Sequence, residues 1–238
     1  MASDTAEIRK AARIAGFLYL LVVITAPFGL VYVPGAIIVR GDATATANHI
    51  RASEWILRLG IASELVHQII GIFVVLALFR LFRRVSEMLA WQVVILGALV
   101  SVPIMFLNVL NEIAALLLVS GAGFLSVFDQ RQLDALAYLF LRLHSQGIFI
   151  AAIFWGLWLF PFGLLVMRSR FIPSVLGALL IVAGCAYLVS SFTTLIVPQY
   201  AQRVDQVALA FEICELPIVF WLVIWGARPQ LTEPAAPR

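Results

Sequence analysis

Six runs of apolar residues, each long enough to cross a bilayer and each bounded by charged or polar positions, constrain this chain more than any other feature. A helix rises about 1.5 Å per residue, so a hydrocarbon core of about 30 Å needs about 20 apolar residues. The runs extend from Ile14 to Val39, Ile56 to Leu81, Trp91 to Leu118, Ala135 to Met167, Pro173 to Val197 and Val207 to Trp225. Of the 238 residues, 63% are hydrophobic and 12% charged, too little polar surface for a water-soluble domain. The expected fold is all-α: a polytopic membrane protein built as a six-transmembrane-helix bundle.

Lysine and arginine set the expected orientation. One set of connections holds Arg9, Lys10, Arg13, Arg80, Arg83, Arg84, Arg168, Arg170, Arg228 and Arg238, and the other holds Arg40, Arg51, Arg58, Arg131 and Arg203. Ten against five places both termini in the cytoplasm by the positive-inside rule and leaves Arg142 within a span. Residues 1–12 then read as a cytoplasmic tail and residues 13–227 as the transmembrane domain. An outer surface helix is expected near residues 42–55, with Asp42 as its N-cap. Residues 228–238, rich in proline, read as a disordered cytoplasmic tail. No cleavable leader pattern precedes the first run, so the first span is expected to direct its own insertion. Basic residues scattered at span ends argue against a nucleic-acid partner. Cys185 and Cys214 lie in apolar runs without a metal or disulfide spacing.

Polar residues inside the runs carry the functional information. Counted along the helices, Glu64 and His67, Asn108, Asn111 and Glu112, Arg142, His144 and Gln146, and Glu212 and Glu215 fall about 8 to 17 Å from the outer helix ends. Spacings of three and four gather each set into a stripe, as for Glu64, His67 and Gln68 or Asn108, Asn111 and Glu112. An ionisable group facing lipid near the bilayer centre costs about 2.5 kcal/mol or more, so the stripes are expected to face one another. The expectation is one polar pocket in the outer half of the membrane, with Glu215, His144, Arg142, Glu112, Asn108, Asn111 and Glu212 as candidate ligand-binding residues.

Four glutamates in that layer face a single arginine, Arg142, expected as counter-ion to one of them. Buried charge of this kind calls for protonation, access to water or a bound cation. Three readings follow. A pocket for a small polar or cationic ligand, bound or transported, is the ordinary meaning of ionisable groups in spans. A metal-dependent enzyme would use Glu64-x-x-His67 with His144 and Glu215 as ligands to a divalent metal, a spacing found in carboxylate-bridged metal bundles. A structural or interaction protein would use the same residues only to fix helix packing. A further echo, Ala15-Gly16-x-x-Tyr19-Leu20 repeated as Ala183-Gly184-x-x-Tyr187-Leu188, fits either a duplicated helix pair or coincidence in leucine-rich sequence.

Five stretches, RIAGFLYLL (Arg13 to Leu21), GDATATANHIRASEWILRLG (Gly41 to Gly60), LHSQG (Leu143 to Gly147), RSRFIPSVLGALLIVAGCAYLV (Arg168 to Val189) and CELPIVFWLVIWG (Cys214 to Gly226), together resemble the bacterial membrane family catalogued as domain of unknown function 4386. The resemblance implies a compact multi-span bundle in the bacterial cytoplasmic (inner) membrane. It implies neither an activity nor a cofactor. Within those motifs it favours His144 and Glu215 as site residues over Glu64 and His67. Relatives often carry a lysine before the final glycine, where this chain has Trp225.

Overall fold

The computed structural model describes residues 2–227; the expected C-terminal tail, 228–238, lies outside them. Among the described residues there is no strand, and six helices are long and apolar enough to cross a membrane: Ala6–Ile37, Glu54–Phe82, Glu87–Val119, Gln130–Ser169, Ser174–Ile196 and Pro198–Ile224. They are spans one to six below. The chain is an integral, multi-pass membrane protein. The helix of span one begins at Ala2, so Arg9 and Lys10 ride on its first turns.

Local chemistry explains where the spans start and stop. Ser86 caps span three at the backbone N–H of Leu89. Span four opens on a reciprocal capping box, in which the Asp129 carboxylate accepts from the Gln132 N–H at 2.9 Å and the Gln132 side chain accepts from the Asp129 N–H at 3.0 Å. It ends at Arg170, whose φ of 58° breaks the helix, and Pro173 leads into span five. Span six starts at Pro198, nine residues before the run that hydropathy picks out. Its first turns, through Arg203 and Asp205, are too polar to register as a span. Asp205 is nonetheless satisfied, because the Ser190 hydroxyl of span five donates to it at 2.6 Å.

Prolines mark the irregular backbone. Lacking an N–H and clashing with the carbonyl four residues back, proline forces a helix to rearrange. A π-helical stretch, Phe28–Tyr32, follows Pro27, and another, Ile95–Val100, precedes Pro103. In span six a 3₁₀ turn, Ile213–Glu215, comes immediately before Pro217. Pro161 is absorbed inside the long helix of span four.

Spans four and five form the tightest pair. Their small residues face each other: a Cβ added at Gly156 would lie 2.8 Å from the Gly184 carbonyl oxygen, and one at Gly163 2.6 Å from that of Gly177. Small residues at a helix interface let backbones approach and gain dispersion contacts, which lipid does not oppose. Span one packs along span two and along Leu216–Ile224 of span six. At the end of the bundle carrying the connections 38–53 and 120–129, a short helix, Ala43–Ala52, is capped by Asp42 at the Ala45 N–H, 2.8 Å. Arg51 of that helix pairs with Asp134 of span four, which is buried and also accepts from Gln130 at 2.9 Å. At the opposite end, a core built around Phe82, Phe162, Trp158, Leu159 and Leu180 fills the bundle.

Replacing Gly184 with leucine is expected to separate spans four and five and to destabilise the protein by about 1–3 kcal/mol, the usual penalty of overpacking. Thermal unfolding in detergent checks it, with Gly35→Leu as the control, since a Cβ there meets nothing within 4 Å.

Candidate functional site

The intramembrane polar residues form two groups rather than one layer. The first joins spans two, three and four. Nε2 of His144 lies 3.1 Å from Oε2 of Glu64 and 3.7 Å from Oε2 of Glu112, and all three side chains are 2–4% exposed. One donor atom from each falls within 4.8 Å of the others. Oε1 of Glu64 and Oε2 of Glu112 are buried without a hydrogen-bond partner.

Neighbouring residues hold this group in place. Asn108 donates to the backbone carbonyl of His144 at 2.9 Å and accepts from Asn111 at 3.1 Å, so the two asparagines brace span three against span four at the histidine. Gly147 is required there: a Cβ would stand 2.0 Å from Oδ1 of Asn108. Gly29, in the π-helical stretch of span one, leaves room for Glu64, whose Cγ would be 2.9 Å from an added Cβ.

The second group lines a cavity of about 510 Å³ to which all six spans contribute. On its wall, the Tyr19 hydroxyl of span one donates to Oε1 of Glu215, and the Tyr187 hydroxyl of span five bonds the same carboxyl. Glu215 belongs to the 3₁₀ turn that Pro217 imposes, so the break in span six delivers the carboxyl to the cavity. Glu212, His67, Gln68, Trp155 and Trp158 line the same space. Tyr19 and Trp158 pack with ring centroids 5.8 Å apart. His67 turns to Thr25 of span one, with Nδ1 3.3 Å from the hydroxyl oxygen.

Several expectations are thereby corrected. Glu215 does not join His144: its carboxyl bonds Tyr19 and Tyr187 on the cavity wall, whereas His144 pairs with Glu64 and Glu112. The expected metal set of Glu64, His67, His144 and Glu215 is not brought together: Glu64 and His144 group with Glu112, and His67 and Glu215 face the cavity. Arg142 is exposed and pairs with no glutamate among the described residues. At roughly 100° per residue it lies about 200° around the helix from His144, so burying the histidine turns the arginine outward. Tyr19 and Tyr187 were not expected as site residues. Their signal was the Ala-Gly-x-x-Tyr-Leu echo, whose two tyrosines meet at one carboxyl.

Because Gly147 and Asn108 interlock, Gly147→Ala is expected to destabilise the protein by at least about 1 kcal/mol, and by clearly less when Asn108 is already alanine. Unfolding midpoints of the two single variants and the double variant measure that coupling.

Among known proteins, no curated protein and no solved structure matches the chain. Residues 14–226 match the family model described as Domain of unknown function (DUF4386), a span that takes in all the residues of both polar groups. The chain belongs to the DUF4386 family.

Proposed function

We propose that this protein binds a small organic cation with apolar substituents in the cavity among its six spans. The observation that carries the reading is Glu215, a carboxyl held by two tyrosine hydroxyls on the wall of a cavity that also presents Trp155, Trp158 and a second carboxyl, Glu212. Aromatic faces attract cations, and the attraction grows to about 2 kcal/mol or more when both are removed from water. A nearby carboxylate adds a charge partner in the same low-dielectric setting. The volume falls within the range of about 300–1,000 Å³ typical of small-molecule sites.

The walls favour an amphiphile over a hydrated ion. Apart from the polar residues named, the lining is aliphatic, with Val22, Val23, Leu30 and Val31 from span one and Leu209 from span six. Val31 is 69% exposed and Leu209 57%, so the cavity's border reaches the bundle surface where these two spans diverge. A ligand with an apolar portion enters there without crossing water. The positive-inside count supports cytoplasmic termini in a bacterial cytoplasmic membrane, with the Ala43–Ala52 helix at the outer end. The packed core at the other end supports binding rather than passage through the bundle.

A tetraphenylphosphonium titration, read by tryptophan fluorescence of the detergent-solubilised protein, tests the proposal. Saturable binding is expected, weakened about tenfold by Glu215→Gln, which corresponds to about 1.4 kcal/mol. Tyr19→Phe is expected to weaken it less. Equal binding of tetraphenylborate, an anion of the same shape, would refute the reading.

A further inference from the structure

We propose that Glu64, Glu112 and His144 form a binding site for one divalent first-row transition metal, separate from the cation cavity. Three observations support it. The donor spacing fits: metal–ligand bonds of about 2.0–2.1 Å in a tetrahedral arrangement put ligand atoms about 3.3 Å apart, and His144 Nε2 lies 3.1 and 3.7 Å from the two carboxylate oxygens. One donor atom from each of the three residues lies within 4.8 Å of the others.

The second observation is what the carboxylates lack. Oε1 of Glu64 and Oε2 of Glu112 have no hydrogen-bond partner although both residues are only 2% exposed. Oε2 of Glu112 is directed at the His144 ring from beyond hydrogen-bond distance, as an atom waiting on an intervening ion would be. The large majority of buried side-chain polar atoms in folded proteins have a hydrogen-bond partner.

The third is charge. Arg142 is exposed on the far side of span four, and among the described residues His144 is the only basic side chain paired with the two glutamates. Two carboxylates and a neutral imidazole form a dianionic set, which a dication neutralises without desolvated excess. One nitrogen and two oxygen donors suit zinc or manganese better than magnesium, which prefers an all-oxygen shell and retains its waters. The three ligands come from three different spans, so the ion ties spans two, three and four together, and three protein ligands leave a fourth position for water. Asn108 and Asn111 position His144 through its backbone and do not touch the ion.

Elemental analysis of the detergent-purified, tag-free protein tests the site. After dialysis with zinc or manganese chloride and removal of excess, about one equivalent of metal per chain is expected. Glu64→Gln with Glu112→Gln, and separately His144→Ala, are expected to lower it below about 0.2 equivalents, while His67→Ala and Glu215→Gln retain it. Should the variants fail to fold, the wild-type protein still decides: chelator-stripped protein is expected to gain at least about 5 °C in Tm on adding zinc or manganese, with no comparable gain from magnesium. Less than about 0.2 equivalents in the wild type with no Tm gain, or full occupancy in the double glutamine variant, overturns the proposal. Neither result bears on tetraphenylphosphonium binding, so the two sites stand or fall separately.

Discussion

A carboxyl group inside a bilayer has no water to solvate it, and every part of this bundle that is not simply apolar packing follows from that. Six acidic side chains lie within the spans and away from their ends; Glu212 lines the cavity, and the other five have the following partners. Asp134 takes an arginine from the surface helix. Asp205 takes hydroxyls from span five. Glu215 takes two tyrosines. Glu64 and Glu112 share one histidine and still keep buried oxygens without partners. Asp134, Asp205 and Glu215 have protein partners, whereas Glu64 and Glu112 remain incompletely answered by protein groups alone. That difference separates residues that fix packing from residues that await something else.

The backbone irregularities serve the same requirement. A regular helix presents side chains at fixed angles, so a polar group buried on one turn commits the next turn as well. Proline relieves this. The π-helical stretch after Pro27 sets Gly29 against Glu64, and the 3₁₀ turn before Pro217 directs Glu215 into the cavity while Leu216–Ile224 continues against span one. Both breaks lie beside an intramembrane carboxyl, and both are places where hydrogen bonding within the helix is traded for access to a neighbour.

Much of the fold was legible in the sequence because hydropathy over 20 residues is a strong signal. Six spans and the inward orientation of most intramembrane polar residues followed from length and the cost of exposing charge to lipid. What failed was depth and azimuth. Span six was counted from Val207 because the residues before it are polar, and span four from Ala135, so the depths of Glu215 and His144 were both undercounted. Arg142 was assigned to the layer by depth alone, although its position two residues before a buried histidine already turned it outward. The tyrosines were passed over because they were grouped with the hydrophobic residues. Their hydroxyls mattered only once spans one and five were seen on either side of Glu215, a relation between helices that no single-helix pattern contains.

Span two connects the two polar groups. Glu64 and Gln68, four residues apart, are both buried, Glu64 at the three-residue cluster and Gln68 on the cavity wall, with His67 beside it facing Thr25. One helical turn therefore carries a wall of each site. A helix in a close-packed bundle moves as a rigid element, so a rotation of span two that alters the distance from Glu64 to His144 also moves His67 and Gln68 against the cavity. Gly29 opposes such a rotation on one side and the Asn108–His144 brace holds the facing histidine on the other. Span two is thus a shared wall: Glu64 serves the cluster with Glu112 and His144, and His67 and Gln68, about one turn further along the same face, serve the cavity.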